Sequence, residues 1–146
     1  MRGSGEEFRR QVKKVVEIGA DKLIIDLRGN VGGLVTETVK ALSAVLEKGT
    51  LVYTLKSKDE KSNYSDKTKL TPVNADLPLI LMVDHKTISS GEIFCGTIQD
   101  LDRGVLIGKK TAGKGIVQGT RYFNDGSSLY ITCLLYTSPS PRDSLS

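Results

Sequence analysis

The sequence predicts an α/β fold with a mixed, partly parallel sheet and flanking helices. Residues 22–27, 79–84 and 105–108 are short apolar runs of the kind that form strands buried on both faces. Between and before them, apolar residues recur at helical spacing, so strands and helices alternate along the chain. The segments that follow these runs are glycine-rich or polar, and open α/β sheets place their sites at such carboxyl ends.

The elements follow in order. Residues 6–18 predict a helix, with Phe8, Val12, Val15 and Val16 on one face. Gly19-Ala20-Asp21 stops it, and Lys22-Leu23-Ile24-Ile25-Asp26-Leu27 is the first strand. A glycine-rich loop, Arg28-Gly29-Asn30-Val31-Gly32-Gly33, leads into a second helix over 34–46, carried by Val35, Val39, Leu42, Val45 and Leu46. Residues 51–55 form a strand, and the polar stretch 56–71 reads as a surface hairpin or mobile loop. The strand 79–84, a helix over 90–101 and the strand 105–108 come next. A Gly/Lys loop at 109–115 precedes Ile116-Val117-Gln118, and Asn124-Asp125-Gly126 turns a hairpin into the strand 128–132. No internal repeat is present.

The ends read differently from the middle. The chain opens within a helical pattern, as a fragment of a longer protein would, and no apolar stretch behind Met1-Arg2-Gly3 suggests a signal peptide. From Cys133 to Asp143 the sequence resembles a translated sequencing-library adapter. The expected organisation is therefore a partial domain over 1–132 and an appended tail over 133–146, the alternative being a natural Ser/Pro-rich loop.

Composition narrows the function. Lys and Arg number 21 against 17 Asp and Glu, a net charge of +4, and the lysines are scattered. With no Trp and only three Phe and five Tyr, stacking platforms are lacking and no nucleic-acid partner is expected. No apolar run approaches the ~18 residues of a membrane span. Two cysteines, Cys95 and Cys133, supply neither a disulfide framework nor a zinc site, so no metal is expected. His85 is the single histidine, and any histidine triad must use it.

Three loops hold candidate chemistry. The amides of the Gly29–Gly33 loop, beside a helix N-terminus, suit an oxyanion hole or a phosphate cradle, or make no more than a tight turn. The loop has neither the Gly-Lys-Ser/Thr ending of a P-loop nor the dinucleotide fingerprint, so no nucleotide cofactor is expected. The elbow Asp84-His85-Lys86-Thr87-Ile88-Ser89-Ser90-Gly91-Glu92 presents serines at a strand-to-helix turn, as nucleophile or as helix cap with Glu92 in a capping box. In Thr111-Ala112-Gly113-Lys114-Gly115 the lysine is either solvated or directed into a pocket, where burial favours the neutral amine that a general base requires.

Taken together, Ser89-x-x-Glu92, Gln99-Asp100, Gly108, Gly113-Lys114-Gly115 and Gln118 resemble in order and spacing the C-terminal processing peptidases, or tail-specific proteases. The glycine loop of that family, Asp-Leu-Arg-Gly-Asn-Pro-Gly-Gly, is matched by Asp26-Leu27-Arg28-Gly29-Asn30-Val31-Gly32-Gly33 at every position except Val31. The resemblance runs from about Phe8 to Thr132 and implies a serine endopeptidase core of crotonase-like architecture. It makes Ser89 the nucleophile, Lys114 the base and Gln118 the residue orienting that lysine, with no cofactor. Ser90 and either Gly32 or Gly33 are expected to offer backbone amides to the oxyanion. Asp100 matches an acidic position of the family. The elbow departs from the usual Ser-Ala-Ser-Ala-Ser-Glu, with Ile88 bulkier than alanine, and Ala112 stands where phenylalanine is common.

The same resemblance implies protein or peptide substrates with apolar C-termini, an upstream PDZ domain, and a site of action outside the cytoplasm, in periplasm, cell envelope or thylakoid lumen. Two competing readings remain. A crotonase-type acyl-CoA enzyme would use carboxylates as acid and base, and a non-catalytic relative would hold hydrophobic ligands without needing Ser89 and Lys114. A triad through His85 would need Asp84, whose neighbouring position on a strand points to the opposite face.

Overall fold

The structure is a computed structural model, and it describes residues 2–58 and 60–137. Helix α1 spans Ser4–Glu17, with Glu6 and Glu7 in its first turn and Lys14 in its last, each complementing the helix dipole. Its apolar face buries Val12 and sets Phe8 edge-on against Phe94, with ring centroids 5.8 Å apart. Strand β1 (Leu23–Asp26) follows, then α2 (Val35–Leu42), which packs on α1. The helix expected over 34–46 thus ends four residues early. Residues 43–46 turn through tighter bonds, Ala44 N to Ala41 O and Val45 N to Leu42 O, while the Ala44 carbonyl accepts from Val73 and Asn74. That carbonyl is claimed by a distant segment, so the periodic apolar residues stay buried without being helical.

Strand β2 (Leu51–Lys56) pairs antiparallel with β3 (Tyr64–Lys67), so the polar stretch is a hairpin. Its polar residues are not all at the surface. Asp66 and Thr68 are buried, Thr68 Oγ1 donating to Glu47 O and accepting from Thr50 N, and Asp66 pairing with Lys69 at 2.9 Å. Strand β4 (Leu79–Val83), helix α3 (Ser90–Asp100), strand β5 (Val105–Gly108), and the long hairpin β6 (Ile116–Tyr122) and β7 (Ser128–Thr137) complete the order.

The strands divide by direction. β1, β4 and β5 form a parallel sheet in the order β1-β4-β5, and the other four form an antiparallel sheet in the order β3-β2-β7-β6. β7 runs five residues past Thr132, pairing with β2 through Thr54–Thr137, Leu55–Tyr136 and Lys56–Leu135. Most of the segment read as an appended tail, residues 138–146, lies outside the described residues. Leu42, Val45, Val52, Leu81 and Ile98 are fully buried and join α2, β2, β4 and α3 in one core. The parallel sheet delivers the glycine loop after β1, the serine elbow after β4 and the lysine loop after β5 to one sheet end.

Candidate active site

The elbow is locally strained. Ser89 is the N-cap of α3 with φ 58° and ψ −120°, a sparsely populated conformation for a residue with a Cβ, costing about 1–3 kcal/mol. It persists because the surroundings hold it. Ile88 N donates to Asn30 O at 2.9 Å, which ties the elbow to the glycine loop, and the Ser89 N–H donates to Glu92 Oε2 at 2.8 Å. Thr87, fully buried, reaches all three loops. Its Oγ1 donates to Leu27 O at 2.8 Å, its N–H donates to Asp84 O, and its carbonyl accepts from Ala112 N at 3.1 Å.

The glycine loop is shaped against this elbow. Gly32 has φ +85°, and a Cβ there would lie 2.7 Å from Ile88 O, 2.9 Å from Ser90 N and 3.0 Å from Ser89 Cβ. No side chain fits. The Gly32 N–H donates to Asn30 Oδ1 at 2.8 Å, so it is occupied. Among the described residues the N–H groups of Gly33 and Ser90 have no intramolecular acceptor. Ser90 is the first residue of α3, where an N–H has no helical partner, and the helix dipole adds positive potential at the same place. Farther out, Arg28 grips Asp26 through two bonds at 2.8 and 2.9 Å, and this guanidinium holds the Asp26 carboxyl down at about 2.

Lys114, half-buried, donates from Nζ to Gln118 Oε1 at 3.3 Å. Ser89 Oγ and Lys114 Nζ are not hydrogen-bonded to each other. Their backbones are joined instead through one carboxylate, since Glu92 accepts from Ser89 N, from Lys114 N at 3.0 Å and from Gly113 N at 2.5 Å. Beside the elbow, α1, α2 and the start of α3 enclose a cleft of about 170 Å³ that includes Phe8, Leu27, Ala41, Phe94, Gly33 and Ser90 in its wall. The Glu37 carboxylate in this wall is already engaged, by Gly5 N at 2.9 Å and Lys40 Nζ at 3.2 Å.

The remaining candidates lie apart from this arrangement. His85 is exposed, and Asp84 Oδ1 is taken by the N–H groups of Gly29 and Lys86, which hold its carboxyl below the usual range. Cys95 is buried in α3, and burial pushes its thiol up to about 12, so it is no nucleophile at neutral pH. Asp100 closes α3 at the end opposite Ser89. Among the described residues no group of three His, Cys, Asp or Glu is placed to hold a metal ion. Sequence reasoning quoted Asn30 and Thr87 without giving them a role. An Asn two residues before a glycine is a readable Asx-turn signal, whereas the bonds from Thr87 span up to 60 residues and leave no local trace.

A family model for peptidase family S41 matches residues 1–146. The chain belongs to this family. It is 32% identical over 138 residues to a carboxyl-terminal-processing protease of Synechocystis, covering 94% of this chain and 32% of the relative. A probable CtpA-like serine protease of Staphylococcus aureus is 35% identical over 134 residues, covering 91% of this chain and 27% of that one. Among solved structures, a photosystem II D1 C-terminal processing protease superposes with a TM-score of 0.85 at 24% identity, over 95% of this chain and 36% of that one. A Bacteroides fragilis S41 protease superposes at 0.76 with 19% identity, over 91% and 37%. These likenesses place the S41 protease fold on this chain, which spans about a third of the length of the curated relatives it matches.

Proposed function

We propose that this chain carries the catalytic core of a serine endopeptidase that cleaves proteins at or near their C-termini through Ser89 and Lys114. The observation that carries this reading is the lysine loop clipped to the strained serine elbow, with Lys114 Nζ held by neutral Gln118. Ser89 Oγ attacks the scissile carbonyl and gives its proton to the Lys114 amine; the resulting ammonium then protonates the departing amine. Water attacks the acyl-enzyme, Lys114 takes a proton from it, and Ser89 is restored. The nucleophile–base bond is expected to tighten when substrate fills the site, as such bonds do in many enzymes. The free amides of Ser90 and Gly33 meet the oxyanion, each contributing about 3–4 kcal/mol to the transition state. Gly32 serves by its lack of a side chain.

The cleft beside these amides receives an apolar substrate side chain, consistent with apolar C-termini. A PDZ domain elsewhere in the protein would present such C-termini, and the enzyme would act outside the cytoplasm. Among the described residues no helix is long and apolar enough to cross a membrane. A crotonase-type reading is disfavoured because Glu37, the carboxylate in the cleft wall, is committed to Gly5 and Lys40. A fluorophosphonate probe should label Ser89, found by peptide mass spectrometry, and Ser89→Ala should abolish labelling and peptide cleavage together. Cleavage that persists in Ser89→Ala would overturn the assignment.

A further inference from the structure

We infer that Glu92 sets the register between nucleophile and base, as a positioning residue whose three backbone bonds hold the lysine loop against the elbow. This rests on the reading of Ser89 and Lys114 just given. A helix cap needs only the bond to the Ser89 N–H. Glu92 makes two more, to Gly113 N and Lys114 N, 21 and 22 residues away in sequence. Such bonds from a carboxylate are about twice as strong as neutral ones, and a carboxylate in the first turn of α3 is further favoured by the helix dipole.

Little else fixes the loop. A Cβ on Gly113 or Gly115 would meet nothing within 4 Å, so no side chain packs there. The flanking bonds, Ala112 N to Thr87 O at 3.1 Å and Tyr136 N to Gly115 O at 2.8 Å, hold the two ends of the loop. Of the three N–H groups between them, that of Gly115 donates within the loop to Gly113 O at 3.1 Å, and among the described residues only Glu92 accepts from those of Gly113 and Lys114. The chemistry also requires glutamate. Oε2 accepts from Ser89 and Lys114 and Oε1 from Gly113, so both oxygens are used. Glutamine would turn an NH₂ toward an N–H donor, and aspartate is one methylene too short to span elbow and loop.

The test compares Glu92→Gln with the unchanged protein, using a fluorogenic peptide with an apolar C-terminus and ¹⁵N-resolved hydrogen exchange. The expected result is a fall in kcat of about 10²-fold, the penalty of a small misplacement of a reacting group, with KM little changed because the cleft is untouched. The amides of Gly113 and Lys114 should lose protection while those of Ile93 and Phe94 within α3 keep it. A kcat within a factor of about three of the unchanged protein would overturn the proposal. So would retained protection at Gly113 and Lys114, or loss of protection throughout α3, which would reduce Glu92 to a helix cap. Turnover that survives Lys114→Ala would instead defeat the Ser89–Lys114 reading, with hydrogen exchange still deciding whether Glu92 tethers the loop.

Discussion

The serine elbow and the lysine loop lie side by side but are held in different ways. At the elbow, Gly32 sits so close to Ile88 and Ser90 that a single methyl would overlap their backbone, and Thr87 and Ser90 beside it are buried. At the lysine loop, Gly113 and Gly115 are exposed with open space around them. The elbow is positioned by steric crowding together with long-range hydrogen bonds, and the loop by a few directed hydrogen bonds without the crowding. In the proposed mechanism, an attacking oxygen and its oxyanion donors need close placement, which packing supplies. A base that takes and returns a proton tolerates a softer mount, provided its tether survives.

The largest expected effect tests the chemistry at the centre of this comparison. Lys114→Arg keeps charge and approximate length, but a guanidinium stays protonated at any working pH. Turnover should fall by about 10⁴-fold or more, as when a catalytic base is lost, and match Lys114→Ala, while binding of an uncleaved apolar peptide persists. Activity retained in Lys114→Arg would make the lysine an anchor for substrate charge instead.

Next in size, Gly32→Ala should break the elbow. The substitution meets both the positive φ and the overlap with Ile88 O and Ser90 N. A loss of kcat of about 10²–10³-fold is expected, because the added methyl displaces the Ser90 amide proposed as an oxyanion donor, together with a lower melting temperature. The same change at Gly113 meets the positive φ alone, φ +79° with open space. It should destabilise by only about 1–2 kcal/mol and leave most of the turnover. Equal loss at the two glycines would erase the distinction between a crowded and an open mount.

The smallest effect belongs to Ser90→Ala. Its backbone N–H is retained, so turnover should stay within about tenfold of the unchanged protein, in contrast to Ser89→Ala. A reversal of that order, read in the same peptide assay, would move the nucleophile by one residue.

Much of this arrangement is written locally. The periodicity of Phe8 and Val12 marks α1, the apolar runs mark β1, β4 and β5, and Asn124-Asp125-Gly126 marks the turn between β6 and β7. Ser89, Lys114 and Gln118 stand out because their spacing in the chain resembles a family pattern, and the Lys114–Gln118 contact is a short-range one. These features depend on neighbours a few residues apart, and short-range geometry is what a linear pattern encodes.

Tertiary structure decided the rest. It ended α2 at Leu42 by giving the Ala44 carbonyl to Val73 and Asn74, and it buried Asp66 and Thr68 in a stretch that reads as solvated. It sorted parallel and antiparallel strands into two sheets, a pairing choice that hydrophobic runs alone leave open. At the site, it spent the Gly32 amide on Asn30, left those of Gly33 and Ser90 free, and turned a capping glutamate into the link between elbow and lysine loop. Each of these outcomes turns on which distant donor reaches a given acceptor. That is a property of the packed chain, because a hydrogen bond acts over about 3 Å whatever the separation in sequence.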